Sequence, residues 1–146
     1  MAERTQAELE IDATPAAIMA TIADIDHYPQ WCPGVRSARI LDTFPDGHPR
    51  EVEMIFDSGP IHDTHVYRYD SWGDREVRWH LTSGQTVSGL WGIYSCHTLE
   101  PRRTLVSYRL AMDLTVPIIG ALKRRAEKVI VRTALKGLKE RIESAS

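Results

Sequence analysis

The sequence predicts an α+β fold: a curved seven-stranded antiparallel sheet wrapped around a long C-terminal helix, with two short helices after the first strand. Three observations predict it. Apolar and polar residues alternate at the start, where Ala7, Leu9 and Ile11 interleave with Glu8, Glu10 and Asp12. Strand-like segments cut by tight turns then run from Val35 to Val116. From Pro117 the apolar period becomes helical and stays so almost to the C-terminus. An amphipathic helix must bury its stripe and a sheet must cover a face, and a sheet wrapped around the helix does both.

Each element has its own signal. After the first strand, "ATPAAIMATIADI" reads as a helix with Thr14 as N-cap, Pro15 at the first helical position and Ile18, Met19, Ile22 and Ala23 on one face. Asp26 is expected to cap a second, shorter turn through His27 and Tyr28, which Pro33-Gly34 ends. "VRSARILDTF" and "REVEMIFDS" are strands around a "PDGHP" turn. Gly59-Pro60 precedes "IHDTHVYRYDSW", "GDR" leads into "EVRWHLTS", and Gly84-Gln85 into "TVSGLWGIYSCHTLEP". "PRR" turns the chain into "TLVSYRLAMDLTV". Tight connections make the pairing antiparallel. In the last helix Ile119, Leu122, Ala126, Val129, Ile130, Thr133, Ala134, Leu138 and Ile142 form the expected buried stripe. No linker or repeat interrupts this order, so residues 1–146 are expected to form one domain.

Composition narrows the function classes. The 42% hydrophobic and 26% charged content is that of a soluble globular protein, and a formal net charge of −2 gives no reason to expect nucleic acid as a partner. Cys32 and Cys96 form no CxxC and read as free thiols in a reducing compartment. "MAERTQAELEI" lacks the apolar core of a signal peptide, and no apolar run approaches the ~18–20 residues of a membrane span, so a cytoplasmic location is expected. The charge is uneven: from Pro117 onward eight Lys and Arg face three Glu, leaving ten against seventeen in the rest of the chain.

The stretch "DIDHYPQWCPGV" (Asp24–Val35) concentrates residue types that enzymes use, but its bulky side chains also suit the plugging of a hinge. His62 and His65 in "HDTH" invite a metal reading, yet on a strand i and i+3 face opposite ways, and no His, Asp and Glu set has zinc-ligand spacing; no metal and no cofactor are expected. Alternation does select an inward set. Asp63, His65, Tyr67 and Tyr69 share one face, and the more polar His62, Thr64, Arg68 and Asp70 the other. The same logic selects Val52, Met54 and Phe56, then Val77, Trp79 and Leu81, then Val106, Tyr108, Leu110 and Met112. In "SGLWGIYSCHTL" both faces are apolar, and Trp91 competes with Leu90 and Tyr94 for the inside.

The element order and the segments "IDATPAAIMATIADIDHYPQWCPGVRSARIL" and "SGLWGIYSCHTLEPRRTLVSYRLAMDL" resemble the START-like helix-grip (SRPBCC) superfamily, in particular its polyketide cyclase/dehydrase and lipid transport branch. Asp26, Pro29, Trp31 and Pro33 match the family pattern at the end of its N-terminal segment. The resemblance covers essentially the whole chain and speaks to fold far more than to chemistry. It implies that "DHYPQWCPG" is architecture and that a hydrophobic ligand sits between sheet and C-terminal helix. The cavity set is then Val52, Met54, Phe56, His65, Tyr67, Tyr69, Trp79, Leu81, Trp91, Tyr108, Leu110, Met112, Leu122, Ala126, Val129 and Ile130.

Three functions follow as expectations. The first is binding or carriage of a lipid, isoprenoid or polyketide-like molecule. The second is a cyclase, aromatase or dehydratase, with His65 and Tyr67 as candidate acid–base residues; no helper group is placed beside them, and no paired carboxylates or nucleophile motif accompany them. The third is a regulatory domain that meets a protein partner through the loops at Gly59 or Gly84. The basic C-terminal helix reads as a solvated face, or as a surface for transient membrane contact through the "LTVPIIGALKRR" tip. It carries no aromatic residue to stack bases. Ligand identity and oligomeric state are not legible in the sequence.

Overall fold

The computed structural model describes residues 4–58, 61–115 and 120–144. Strand β1 (Thr5–Ile11) leads to helix α1 (Pro15–Ala23) and a short 3-10 helix (Ile25–Gln30). Strands β2 (Val35–Thr43), β3 (Pro49–Ser58), β4 (Ile61–Tyr69), β5 (Glu76–Ser83), β6 (Val87–Glu100) and β7 (Arg103–Leu114) follow, and α2 (Gly120–Ser144) closes the chain. The sheet order is β1-β7-β6-β5-β4-β3-β2, antiparallel throughout. This is the arrangement of antiparallel sheet and long C-terminal helix that the change of period predicts, and that the resemblance implies as a helix-grip fold.

Helix α1 starts where its capping residues require. The Thr14 hydroxyl accepts the Ala17 amide proton at 3.2 Å, Pro15 sits in the first turn, and Ile18, Met19 and Ile22 are buried. The next turn differs in detail from expectation. Asp24, not Asp26, holds the N-cap position of the 3-10 helix, and its carboxylate pairs with His27 at 2.8 Å instead of capping a backbone amide. Gly34 has φ 80°, a left-handed turn open to glycine at little cost, and it redirects the chain into β2. Tyr28 and Trp31 are buried, with ring centroids 4.7 Å apart. A Cβ on Gly137 would lie 2.3 Å from the Trp31 carbonyl oxygen, so the hinge is the surface against which α2 seats.

The phase of α2 is a correction. Its buried residues are Glu127, Val131, Ala134, Leu135 and Leu138. Of the expected stripe, Ala134 and Leu138 are buried and Ile142 is partly buried, whereas Leu122, Ala126, Val129, Ile130 and Thr133 are exposed. Ile119 and the apolar tip at Ile118 lie outside the described residues, as does the Gly59 loop. The cause is Glu127, which is 1% exposed and accepts hydrogen bonds from the Thr5 hydroxyl at 2.7 Å and the Met112 amide at 3.0 Å. Strand β1 begins at Thr5, opposite Leu110, so the carboxylate serves the edge of β7 beyond the end of that pairing. A buried carboxylate needs such partners, and meeting that need turns the helix by about one residue.

Strand β6 settles its own ambiguity. Trp79 and Gly92 are paired across β5 and β6, and a Cβ on Gly92 would fall 2.3 Å from the Trp79 ring. The indole therefore lies over Gly92 on the inner face, together with buried Leu90, Tyr94 and Cys96. Trp91 is consequently turned to the outer face and is 45% exposed, a correction to its place in the cavity set.

Candidate functional site

The inner face of β4 carries a continuous polar chain. Asp63, His65, Tyr67 and Tyr69 all point inward and are 5–6% exposed. Their neighbours on β3 are Phe56, Met54 and Val52, opposite Asp63, His65 and Tyr67 respectively; on β5, Leu81 stands opposite Tyr67 and Trp79 opposite Tyr69. The Tyr67 hydroxyl lies 2.6 Å from His65 Nδ1, and His65 Nε2 lies 2.9 Å from Asp63 Oδ2. The turn between β5 and β6 completes the chain, because the Gln85 and Thr86 amides donate to the two Asp63 oxygens at 3.1 and 3.0 Å.

These contacts assign protons. Burial works to raise the Asp63 carboxyl, but the two amides and the His65 ring outweigh it and hold it below the usual carboxylate range. Burial lowers the His65 imidazole despite the attraction of Asp63, so the ring is neutral near pH 7. Burial raises Tyr67 well above its ordinary value, so it stays a phenol. The network then has one consistent reading: Nε2–H donates to Asp63, and Nδ1 accepts the Tyr67 proton. Sequence reasoning puts Asp63 on the inner face without giving it a role; the helper absent beside His65 and Tyr67 is this carboxylate.

The chain's five tyrosines, Tyr28, Tyr67, Tyr69, Tyr94 and Tyr108, are all buried. The Tyr94 and Tyr108 rings pack at a 43° tilt with centroids 4.6 Å apart, and Trp79 approaches them at 5.3 and 5.6 Å. Burial raises all five hydroxyls, which therefore remain donors. Tyr28 donates to the Ile22 carbonyl at 2.5 Å. Among the described residues the hydroxyls of Tyr94 and Tyr108 and the buried Nε1 of Trp31 have no hydrogen-bond partner. Cys32 is enclosed by protein yet keeps partly accessible surface, and burial pushes its thiol up to about 12. Tyr28, Cys32 and Tyr94 stand outside the cavity set expected from sequence. The signal for Tyr94 is its alternation with Leu90 on β6, which the sequence leaves in competition with Trp91.

The structure brings most of the sequence-selected residues together. Val52, Met54, His65, Tyr67, Tyr69, Trp79, Tyr108, Leu110 and Met112 are buried on the inner side, with Phe56 and Leu81 partly buried against them. Trp91, Leu122, Ala126, Val129 and Ile130 are not part of this cluster. His62 points outward to Asp57 at 3.0 Å, opposite to His65. Among the described residues no group of three His, Cys, Asp or Glu is placed to hold a metal ion, and no helix is long and apolar enough to cross a membrane. Two depressions, of about 640 Å³ at the β6–β7 turn and about 380 Å³ between β1 and α2, are open surface grooves lined largely by charged side chains. Neither touches the His65 chain.

Comparison with known proteins agrees with this architecture. A START superfamily protein from Mycobacterium smegmatis superposes with a TM-score of 0.92 at 19% identity, covering 98% of this chain and 99% of that one. A protein of Thermus thermophilus matches at 0.82 and 22% identity over 99% of both chains. The ZhuI aromatase/cyclase from Streptomyces sp. R1128 matches at 0.77 and 15% identity, covering 98% of this chain and 94% of its own. At these identities the likeness concerns the fold. No curated protein matches the sequence. The family model described as polyketide cyclase/dehydrase and lipid transport matches residues 2–143, and the chain belongs to that family.

Proposed function

We propose that the protein binds a hydrophobic small molecule, of lipid, isoprenoid or polyketide-like character, between the inner face of the sheet and α2. The observation that carries this reading is the inward convergence of five tyrosines, with the Tyr94 and Tyr108 hydroxyls and the Trp31 indole lacking a protein partner among the described residues. Apolar walls with a few polar groups suit a largely apolar ligand that carries carbonyl or hydroxyl oxygens. Such a ligand would offer acceptors to the two hydroxyls and to the enclosed Trp31 Nε1, which is costly to leave unpaired. Family membership and the structural likeness to an aromatase/cyclase support the same class.

The test is native mass spectrometry of freshly purified protein, organic extraction of any adduct, and titration of the emptied protein with an anilinonaphthalene sulfonate probe. Stoichiometric adduct or saturable probe binding, weakened by Tyr94→Phe with Tyr108→Phe, is the expected result. A bare mass with no saturable probe binding overturns the proposal.

The Asp63–His65–Tyr67 chain favours a second reading, an enzyme of cyclase, aromatase or dehydratase type. Tyr67 oxygen would take a proton from the α-carbon of a β-hydroxy ketone while passing its own proton to His65 Nδ1. Asp63 would stabilise the imidazolium. The same path returned in reverse would protonate the leaving hydroxyl, releasing water and an enone. Tyr67→Phe should then slow turnover of a β-hydroxy ketone by about 10²–10³-fold with little change in its affinity. Equal loss of binding and turnover would leave the chain as a polar contact for the ligand and exclude this reading.

A further inference from the structure

We infer that the solvent face of α2 docks onto an anionic lipid surface, an inference independent of what the interior binds. In the first turns of α2, Leu122, Val129 and Ile130 are 47%, 56% and 36% exposed, with Ala126 exposed between them. Thr133 extends this band. Its hydroxyl turns back onto the Val129 carbonyl at 2.7 Å, so it presents no unsatisfied donor to an apolar phase. Such a band on a soluble surface signals an interaction site when it is contiguous and rimmed by polar groups.

The rim identifies the occupant. Arg124, Arg125, Lys128, Arg132 and Lys136 are exposed, and none of the five has an ion-pair partner among the described residues. The other cations of the helix are engaged: Lys123 meets Asp113 at 3.8 Å, Lys139 meets Glu143 at 2.6 Å, and Arg141 donates to Gln30 at 2.6 Å. The sole acidic residue between Gly120 and Lys139 is Glu127, which is turned inward and buried. The outer surface of this stretch thus pairs exposed aliphatic side chains with uncompensated positive charge.

An interfacial helix on anionic lipid needs both features, the aliphatic band entering the acyl boundary and the cations meeting headgroup phosphates. A second copy related by a two-fold axis would bring the same unpaired cations face to face. Nucleic acid would satisfy the cations but leave the aliphatic band against a polar backbone. Anionic lipid satisfies both sets.

The test is flotation of the purified protein with vesicles of equal parts phosphatidylserine and phosphatidylcholine, against vesicles of phosphatidylcholine alone. Binding to the anionic vesicles, reduced by high salt, is expected. Lys128→Glu with Arg132→Glu and, separately, Val129→Asp should each weaken it by about tenfold or more while the circular dichroism spectrum and melting temperature stay near those of the parent. These side chains are exposed, so folding should survive the changes. Absence of preference for anionic vesicles overturns the inference, as does undiminished binding by the charge-reversed variant. A parent dimer that Val129→Asp converts to a monomer, without vesicle binding by the parent, assigns the face to a second copy and also overturns it.

Discussion

Strand β4 and the first half of α2 obey the same rule of apolar periodicity on paper, and the rule succeeds on one and fails on the other. On β4 the alternation places Asp63, His65, Tyr67 and Tyr69 inside, and all four are buried. On α2 the apolar stripe through Leu122, Ala126, Val129 and Ile130 is exposed, while Glu127 is buried beside Val131. A strand offers two phases half a turn apart, so one polar face decides between them. A helix can rotate in steps of about 100°, and a single hydrogen-bonded carboxylate shifts which stripe faces the sheet. The lesson is that apolar count assigns a helix face only when no buried polar group has its partners fixed elsewhere.

The comparison can be broken at the seat of α2. Gly137→Ala would place a Cβ 2.3 Å from the Trp31 carbonyl, a backbone atom that cannot step aside. A loss of about 3 kcal/mol in chemical denaturation is expected, even after the gain in helix propensity. An unchanged midpoint would show that α2 does not seat on Trp31. Next in size is Glu127→Ala, which leaves the Met112 amide and Thr5 hydroxyl without their acceptor. About 2 kcal/mol should be lost, with Glu127→Gln recovering a part of it through the retained carbonyl oxygen. Equal loss in both variants would make the negative charge, not the acceptor, the determinant of phase.

A smaller effect sharpens the strand side. The His65 value is lowered in the folded protein, so the unfolded chain binds its proton more readily. Stability contributed by the neutral ring is therefore present above the unfolded value near 6.5 and declines as pH falls from there towards the folded value. Asp63 is also lowered, so its contribution is present above the unfolded value near 3.8 and is lost as pH falls below it. Melting curves of the parent and His65→Gln should diverge above pH 6.5 and converge in the mildly acidic range below it. Parallel curves would show that His65 is not held neutral. The smallest effect belongs to Val129→Ser, expected within about 0.5 kcal/mol of the parent because its side chain packs against little. A large loss there would restore the stripe first expected from the sequence.

Much of the candidate site is legible in the sequence because strand faces are binary. Val52, Met54, His65, Tyr67, Tyr69, Trp79, Tyr108, Leu110 and Met112 can be placed inward from alternation alone. On β6 this fails, since Leu90, Trp91, Ile93 and Tyr94 make both faces apolar. Gly92 decides the matter by accommodating the Trp79 ring. That pairing joins two strands and needs the register between them. Asp63 falls on the inner face by alternation, but its role needs the Gln85 and Thr86 amides from another turn. Tyr28 and Cys32 read as hinge residues because their segment is architecture, and the fold packs that hinge into the core, Tyr28 buried and Cys32 partly buried against it.

By itself the sequence determined the element order, the antiparallel sheet, the family and the inner faces of four strands, because these follow from local periodicity and turn chemistry. Only the tertiary structure decided the phase of α2, the outward turn of Trp91 and the completion of the Asp63–His65–Tyr67 chain. Each depends on a hydrogen bond or a close contact between residues far apart in sequence. The partners of a buried carboxylate and the space above a glycine exist only once the strands and the helix have met.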